Sequence, residues 1–365
     1  MKKRNLFVFA GQSNMMGAAV YPATDIFEHR DSFEYKYAPK MYGESEGFFS
    51  SHSHPCGEFI YADEQIEIAK TDRDENGKSR LNKYSQNCYF CPAMANILSD
   101  ENKTTQPFDN FSQSSFQVGA TLAPLLIREW EKLGQSCAYT HITKGGVSIS
   151  HFFSDAMVKD YEQRIIKYNS LHNSNISPNT RHTPMCDGAA RAFDKKVMSF
   201  FEEAKIRFSG EDTSIKALIW CQGENDAIYN DNKENYRLKL EVFWEHLKGL
   251  GFTHMFFIRI GFWEGLDTRQ IMQAQEEFCR EQLDCHMLTR VMSFMPFEGM
   301  DEGKYYLSAP ADEYRYCRDS YYGFDNLHIN QKGFQVVANH AIKNLKAVLL
   351  DKAEPTLEDE LVRFE

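Results

Sequence analysis

The sequence contains no apolar run near the roughly 20 residues that a membrane-spanning helix requires. It also lacks an excess of basic charge, since 41 Lys and Arg stand against 52 Asp and Glu and the net charge is −11. Contacts to nucleic-acid phosphates need clustered Lys and Arg. We therefore expect neither a membrane nor a nucleic acid as partner, and the sequence leaves the oligomeric state open.

The N-terminus lacks a full export signal. Residues 2–4 are basic, as at the start of a signal peptide, and five apolar residues follow at positions 6–10. The apolar part of a signal peptide has about 7–15 residues, so this run is too short. The nine cysteines are an odd number in a chain of 365 residues, which fits reduced thiols better than a disulfide framework. These features predict a cytoplasmic protein.

A metal-binding pattern is also missing. Cys88 and Cys91 form a single C-x-x-C without a second pair or a histidine at ligand spacing, whereas a structural zinc site needs four ligands. An ordinary structural role is the favoured interpretation, and the sequence predicts no metal and no organic cofactor.

What the chain does contain is an alternation of short apolar runs with segments of helical spacing. It predicts strands at residues 6–10, 137–143, 215–221, 254–260 and 285–289, and helices at 122–133, 192–208, 232–247, 268–282 and from 331 onward. Such alternation is typical of a parallel sheet with helices on both faces. The predicted fold class is α/β, a three-layer α/β/α sandwich with a mainly parallel central sheet of about five strands.

Aromatic residues are abundant, with 28 Phe and 18 Tyr, and many lie in two stretches that break the alternation. We predict one domain over residues 1–350, with an insertion at 18–118, a long loop at 291–324 and a charged tail at 351–365. Partial alternation at 58–69 and the turn signal Asn76-Gly77 indicate a small β excursion within the insertion. The rings could pack the insertion against the sheet or stack on a ligand.

Polar segments follow the predicted strands, at the sheet edge where α/β proteins carry their chemistry. They are G-Q-S-N-M-M-G at 11–17, W-C-Q-G-E-N-D at 220–226 and, before the last helix, D-N-L-H at 325–328. Ser13, His328 and Asp325 supply the nucleophile, base and acid of a serine hydrolase. Taken singly, Ser13 and Asp325 could be helix caps and Glu224 a solvated loop charge, but their joint order favours catalysis.

Together these segments resemble the SGNH (GDSL-like) hydrolase superfamily, and within it the sialate O-acetylesterase and acetylxylan esterase group, carbohydrate esterase family six. F-A-G-Q-S-N-M-M-G is similar to the first block of that group, which implies that Ser13 is the nucleophile. Asp325-x-x-His328 matches the terminal block. Residues 118–122 are similar to a Gly-Pro-Glu segment of the family but lack its Pro and Glu.

The resemblance also implies an oxyanion hole. K-G-G-V-S-I at 144–149 is similar to the family's Gly-Gly-Thr-Ser-Ile, which assigns an oxyanion N–H to Gly146, beside Gly145, in addition to the N–H of Ser13. The superfamily's side-chain donor is the Asn of G-x-N-D, whereas the acetylesterase group has a Gln in W-x-Q-G-E-x-D. This chain has both residues, so Gln222 and Asn225 are alternative donors.

The resemblance implies a flavodoxin-like SGNH fold and a carbohydrate O-acetylesterase that acts on acetylated sialic acid or oligosaccharides through an acyl-serine. Gln12, Gly145 and Glu224 are expected to bind substrate, and Glu224 competes with Asp325 for the acid role. Two alternatives stay open: a lipid or thioester hydrolase on the same frame, and a non-catalytic carbohydrate-binding protein.

Overall fold

Short, buried, apolar strands build the centre of the molecule. The computed structural model describes residues 5–16, 20–22, 46–49, 115–117, 122–135, 137–143, 146–180, 201–202, 215–261, 266–293, 295, 328–329 and 331–357. In chain order the strands are β1 (Asn5–Gly11), β2 (Val20–Pro22), β3 (Glu46–Phe49), β4 (Ser115–Gln117), β5 (Cys137–Thr143), β6 (Lys216–Cys221), β7 (His254–Ile258) and β8 (Cys285–Thr289).

Helices connect these strands. They are α1 (Ser13–Met16), α2 (Leu122–Lys132), α3 (Asp155–His172), α4 (Glu224–Ile228), α5 (Lys233–Gly249), α6 (Arg269–Glu281) and α7 (Gln331–Lys346), with 3-10 turns at Ile149–Phe152 and Val291–Ser293 and a π-helical turn at Ala347–Asp351. No helix in the described ranges has the length and apolar character needed to cross a bilayer.

Five parallel strands form the central sheet in the order β5-β1-β6-β7-β8, and β3 adds a short parallel strand beside β5. Counting only the five, the order is 2-1-3-4-5, as in flavodoxin-like folds. The predicted α/β class and parallel sheet are therefore confirmed.

The two faces of the sheet are covered by different helices. Leu6 and Val8 of β1 belong to a core with α3, α5 and α6, whereas Phe7 and Phe9 belong to a core with α2 and α7. This alternation follows from the two-residue period of a strand. The described aromatic rings largely fill these cores; the Trp220 ring, for example, lies 5.0 Å from Phe152 and 4.9 Å from Phe243, between centroids.

The described elements agree with most of the predicted ones, although β2, β3, β4 and α4 were not predicted. The strand predicted at 254–260 ends at Ile258. Helix α3 has no counterpart in the sequence prediction; it is capped by Ser154, whose Oγ accepts from the N–H of Met157, and ends at Asn173 in a left-handed conformation. Of the helix predicted at 192–208, only residues 201–202 are described, and they are helical.

Three short parts of the predicted insertion are described, at residues 20–22, 46–49 and 115–117. Its two ends pair as antiparallel strands, with Val20 opposite Gln117 and Pro22 opposite Ser115, and between them β3 joins the central sheet. Residues 58–69 and Asn76-Gly77, where a β excursion was predicted, lie outside the described residues, as does the loop at 291–324 apart from 291–293 and 295.

The start of the charged tail packs on the domain. Asn344 of α7 donates from Nδ2 to the Thr356 carbonyl and accepts from the Thr356 N–H. Leu357 packs against the core of α3, α5 and α6. The described start of the charged tail, residues 351–357, is therefore attached to the domain at Thr356 and Leu357.

Candidate active site

The ends of β1 and β6 approach each other closely. Gly11 has φ +152°, and a Cβ there would lie 1.9 Å from the carbonyl oxygen of Cys221, so this position requires glycine. The N–H of Gln12 donates to the same carbonyl over 3.2 Å. The polar segments after β1 and β6 therefore meet where the strand order reverses, which is where open α/β sheets bind ligands.

Ser13 lies at this point as the first residue of α1. It is half-buried, whereas its neighbours Gln12 and Asn14 are only 4% and 3% exposed. Of the three consecutive polar residues, Ser13 is therefore the one that remains accessible at the carboxyl end of β1.

The side chain of Gln12 holds the loop between β6 and α4. Its Oε1 accepts from the backbone N–H groups of Gly223 (3.3 Å) and Asn225 (3.2 Å) and from Gln222 Nε2 (3.3 Å). Gln12 was predicted to bind substrate; in the structure its acceptor atom is engaged in fixing the loop that carries the polar segment at 220–226.

The two alternative oxyanion donors differ in their surroundings. Gln222 is fully buried, and its Nε2 donates to Asp226 Oδ2 (2.5 Å) and to the Val147 carbonyl (3.1 Å), while its Oε1 accepts from the Tyr236 hydroxyl (3.0 Å). Asn225 is 6% exposed, and its Nδ2 has no hydrogen-bond partner among the described residues. The donor hydrogens of Gln222 are thus engaged, while the Asn225 amide still has donor capacity.

Asp226 connects the segment at 144–149 to the segment at 220–226. Its Oδ2 accepts the N–H of Ile149 over 3.0 Å as well as Gln222 Nε2, and its Oδ1 lies 3.4 Å from Lys239 Nζ. Gly146, at φ +70°, is half-buried three residues before Ile149. Asp226 therefore connects the 3-10 turn that begins three residues after Gly146 to the loop that carries Asn225; Gly145 lies outside the described residues.

Asn14 was not predicted as a site residue, although its side chain connects the segment at 11–17 to Glu224 and to the residue after His328. Its Nδ2 donates to Glu224 Oε1 over 2.9 Å, and its Oδ1 accepts the N–H of Ile329 over 3.1 Å. The only sequence signal for it was its position beside Ser13, because a pairing across 210 and 315 residues depends on the fold.

Glu224 is a buried carboxyl group close to the predicted base. It is 3% exposed, and burial raises its pKa above the usual value, opposed by the hydrogen bond from Asn14 and by the charge of His328. Its Oε2 has no hydrogen-bond partner among the described residues. This arrangement places an acidic group within electrostatic range of His328.

His328 is described and half-buried, and Ile329 beside it is fully buried. Asp325, the predicted acid, lies outside the described residues, so of the two predicted acids only Glu224 has a described position.

In the described part of the chain, no three His, Cys, Asp or Glu side chains come together in a group able to hold a metal ion. Cys88 and Cys91 lie outside the described residues.

Residues 187–295 match the family model described as carbohydrate esterase, sialic acid-specific acetylesterase. Over these residues the match supports the predicted sialate O-acetylesterase-like family. No curated protein matches the chain significantly.

The carbohydrate esterase match covers β6, β7 and β8 with α4, α5 and α6, and it includes the loop with Gln222, Glu224 and Asn225. Ser13 and His328 lie outside the matched residues. The hydrogen bonds of Gln12 and Asn14 connect the first segment to the matched loop, and Asn14 extends the connection to the terminal segment.

Proposed function

We propose that this chain is a carbohydrate O-acetylesterase that removes acetyl groups from sialic acid or acetylated oligosaccharides. The carbohydrate esterase match supports a sugar ester as substrate. The observation that carries the proposal is the position of Ser13, accessible at the β1–β6 switch point and followed by an Asn14 that binds both Glu224 and the residue after His328.

The proposed reaction proceeds through an acyl-serine. His328 takes the Ser13 proton as Oγ attacks the acetyl carbonyl, and the tetrahedral oxyanion is stabilised by the N–H groups of Ser13 and Gly146 and by one side-chain amide. His328 then protonates the sugar oxygen as the ester bond breaks. Water, activated by His328 in the same way, attacks the acetyl-serine and releases acetate.

We propose Asn225 as the side-chain donor. Gln222 would have to give up its bonds to Asp226 and Val147 to reach an oxyanion, and an unpaired buried group costs about 1–3 kcal/mol. Asn225 Nδ2 could bind an oxyanion without breaking a hydrogen bond to any described residue, since it has no partner among them.

The acid partner of His328 is either Asp325 or Glu224. The Asp325-x-x-His328 spacing supports the first, and the electrostatic interaction between Glu224 and His328 supports the second. Comparing Asp325→Asn with Glu224→Gln decides between them. The substitution at the true acid should lower kcat far more, since that acid orients the imidazole and stabilises its positive charge.

Acetate release tests the function directly, on a panel of acetylated sialic acids, xylo-oligosaccharides and manno-oligosaccharides. We expect acetate release from at least one of these sugar esters, and Ser13→Ala should abolish it because the variant lacks the nucleophile. 4-Nitrophenyl acetate, butyrate and octanoate give the acyl preference. A preference for octanoate would point to a lipid hydrolase, and no turnover of any ester would point to a carbohydrate-binding protein.

A further inference from the structure

Asn14 is a buried polar residue whose side chain has both of its ends satisfied. Burying an amide without partners costs free energy, but here Nδ2 donates to Glu224 Oε1 at 2.9 Å and Oδ1 accepts from the Ile329 N–H at 3.1 Å. A donor is needed at one end and an acceptor at the other. Among side chains of this size only asparagine supplies both without a change of protonation.

One of these bonds fixes the backbone of the predicted base. The N–H of Ile329 belongs to the peptide group that joins it to His328, and this group is planar. Holding that N–H therefore also fixes the position of the His328 Cα. Because Asn14 follows Ser13 directly, the same residue sets the spacing between the nucleophile's backbone and that of the base.

The other bond fixes a charge near the imidazole. Asn14 binds one oxygen of Glu224, and its hydrogen bond favours the ionised carboxylate, whose charge interacts with His328. The titratable groups that act on Glu224 in the described part of the chain are His328 and Asp226, and Glu224 in turn acts on Cys221.

We infer that Asn14 is a positioning residue for the catalytic histidine, acting through the Ile329 peptide and through Glu224 rather than by touching substrate. The inference rests on the proposed function, in which His328 is the base. The segment at 11–17 would then have two roles: Ser13 supplies the nucleophile, and Asn14 holds the backbone at His328 and Ile329 in position.

The test compares Asn14→Ala with Asn344→Ala. Asn344 is equally buried, at 3% exposed, and its amide also bonds on both sides, to Leu288 and Thr356, outside the site. We expect Asn14→Ala to lower kcat for 4-nitrophenyl acetate about 10- to 100-fold with KM within about threefold. Asn344→Ala should keep kcat near the wild-type value at a comparable loss of stability.

A second variant, Asn14→Asp, tests the inference if Asn14→Ala fails to fold. Asn14→Asp keeps the shape and the acceptor for the Ile329 N–H but places a carboxyl group against Glu224, and kcat should again fall with little change in KM. A kcat within twofold of wild type for either folded variant, an effect confined to KM, or an equal kcat loss in Asn344→Ala would overturn the inference.

A readout without substrate separates this inference from the proposed function. The imidazole NMR signals of His328, assigned by His328→Gln, should shift in ligand-free Asn14→Ala and stay in place in Asn344→Ala. If the wild type hydrolyses no ester, the proposed function fails while the NMR comparison still reports on positioning. Unshifted His328 signals in Asn14→Ala would refute the positioning role even in an active enzyme.

Discussion

At the scale of single residues, the side-chain amides of Asn225 and Gln222 differ in their hydrogen bonds. Asn225→Ala should lower kcat about 100- to 1,000-fold with little loss of stability, because it removes the proposed oxyanion donor, whose Nδ2 has no other bond among the described residues. Gln222→Ala should mainly lower the free energy of unfolding, because it strips partners from Asp226 and Tyr236. Steady-state kinetics and urea unfolding of both variants check this; the reverse pattern would make Gln222 the donor.

A second prediction at this scale concerns Gly11. In Gly11→Ala the new Cβ would collide with the Cys221 carbonyl oxygen, so we expect a loss of about 3 kcal/mol or more in the free energy of unfolding. Gly134 is the matched control, since it also has positive φ, +73°, but open space around it. Gly134→Ala should cost only about 1–2 kcal/mol in urea unfolding. Equal losses would mean that backbone conformation, and not the approach of β1 to β6, makes Gly11 necessary.

At the scale of elements, α4 and α5 are joined by a buried cluster of Asp226, Asp231 and Lys239. Lys239 Nζ lies 2.5 Å from Asp231 Oδ2 and 3.4 Å from Asp226 Oδ1, and all three residues are nearly inaccessible. Two carboxyl groups thus share one lysine. Burial raises the pKa of Asp231 to about 7, assisted by Asp226 and opposed by Lys239.

This raised pKa makes stability depend on pH. The folded state binds more protons than the unfolded state between about pH 4 and 7, so the Asp231 contribution to the free energy of unfolding is fully present below about pH 4 and is lost as pH rises to 7. With about 1.4 kcal/mol per pKa unit, the loss reaches at most about 4 kcal/mol. Asp231→Asn should remove this slope in urea unfolding at a series of pH values, whereas the exposed Asp155→Asn should keep it. Parallel curves for wild type and Asp231→Asn would contradict the prediction.

The elements also show what sequence patterns can and cannot predict. Strand β5 was predicted at its observed bounds, because its sequence C-A-Y-T-H-I-T is rich in the β-branched and aromatic residues that favour strands. Helix α3 was missed because only Met157, Tyr161 and Ile165 of its 18 residues are buried, which is too narrow an apolar stripe to stand out. Strand β3 was missed because its place in the sheet is set by pairing with β5, about 90 residues later in the chain.

The same limit applies to the site. Ser13, Gln222, Asn225 and His328 were identifiable because they occur in contiguous segments with a recognisable order. The bridging roles of Gln12 and Asn14 were not, because they arise only when the fold brings segments together across more than 200 residues. Local sequence therefore indicated candidate residues for the chemistry, and the tertiary structure was needed to find the side chains that connect their segments.

At the scale of the whole molecule, the two ends of the insertion lie next to each other. Pro22 pairs with Ser115 in the β2–β4 ladder, and none of the five strands in the order β5-β1-β6-β7-β8 comes from residues 23–114. Ends that are already adjacent can be joined by a short turn. The cost of joining them is the loss of β3, which would leave β5 as the sheet edge.

We therefore predict that replacing residues 23–114 with a four-residue Gly-rich turn leaves a protein that unfolds cooperatively. Its hydrolysis of 4-nitrophenyl acetate should stay within about tenfold of wild type, since the contacts of Gln12 and Asn14 are retained. Acetate release from sugars should fall further if the aromatic residues of the insertion stack on the sugar. Equal losses on both substrates would assign those rings to packing, and loss of cooperative unfolding would show that β3 is required for the sheet.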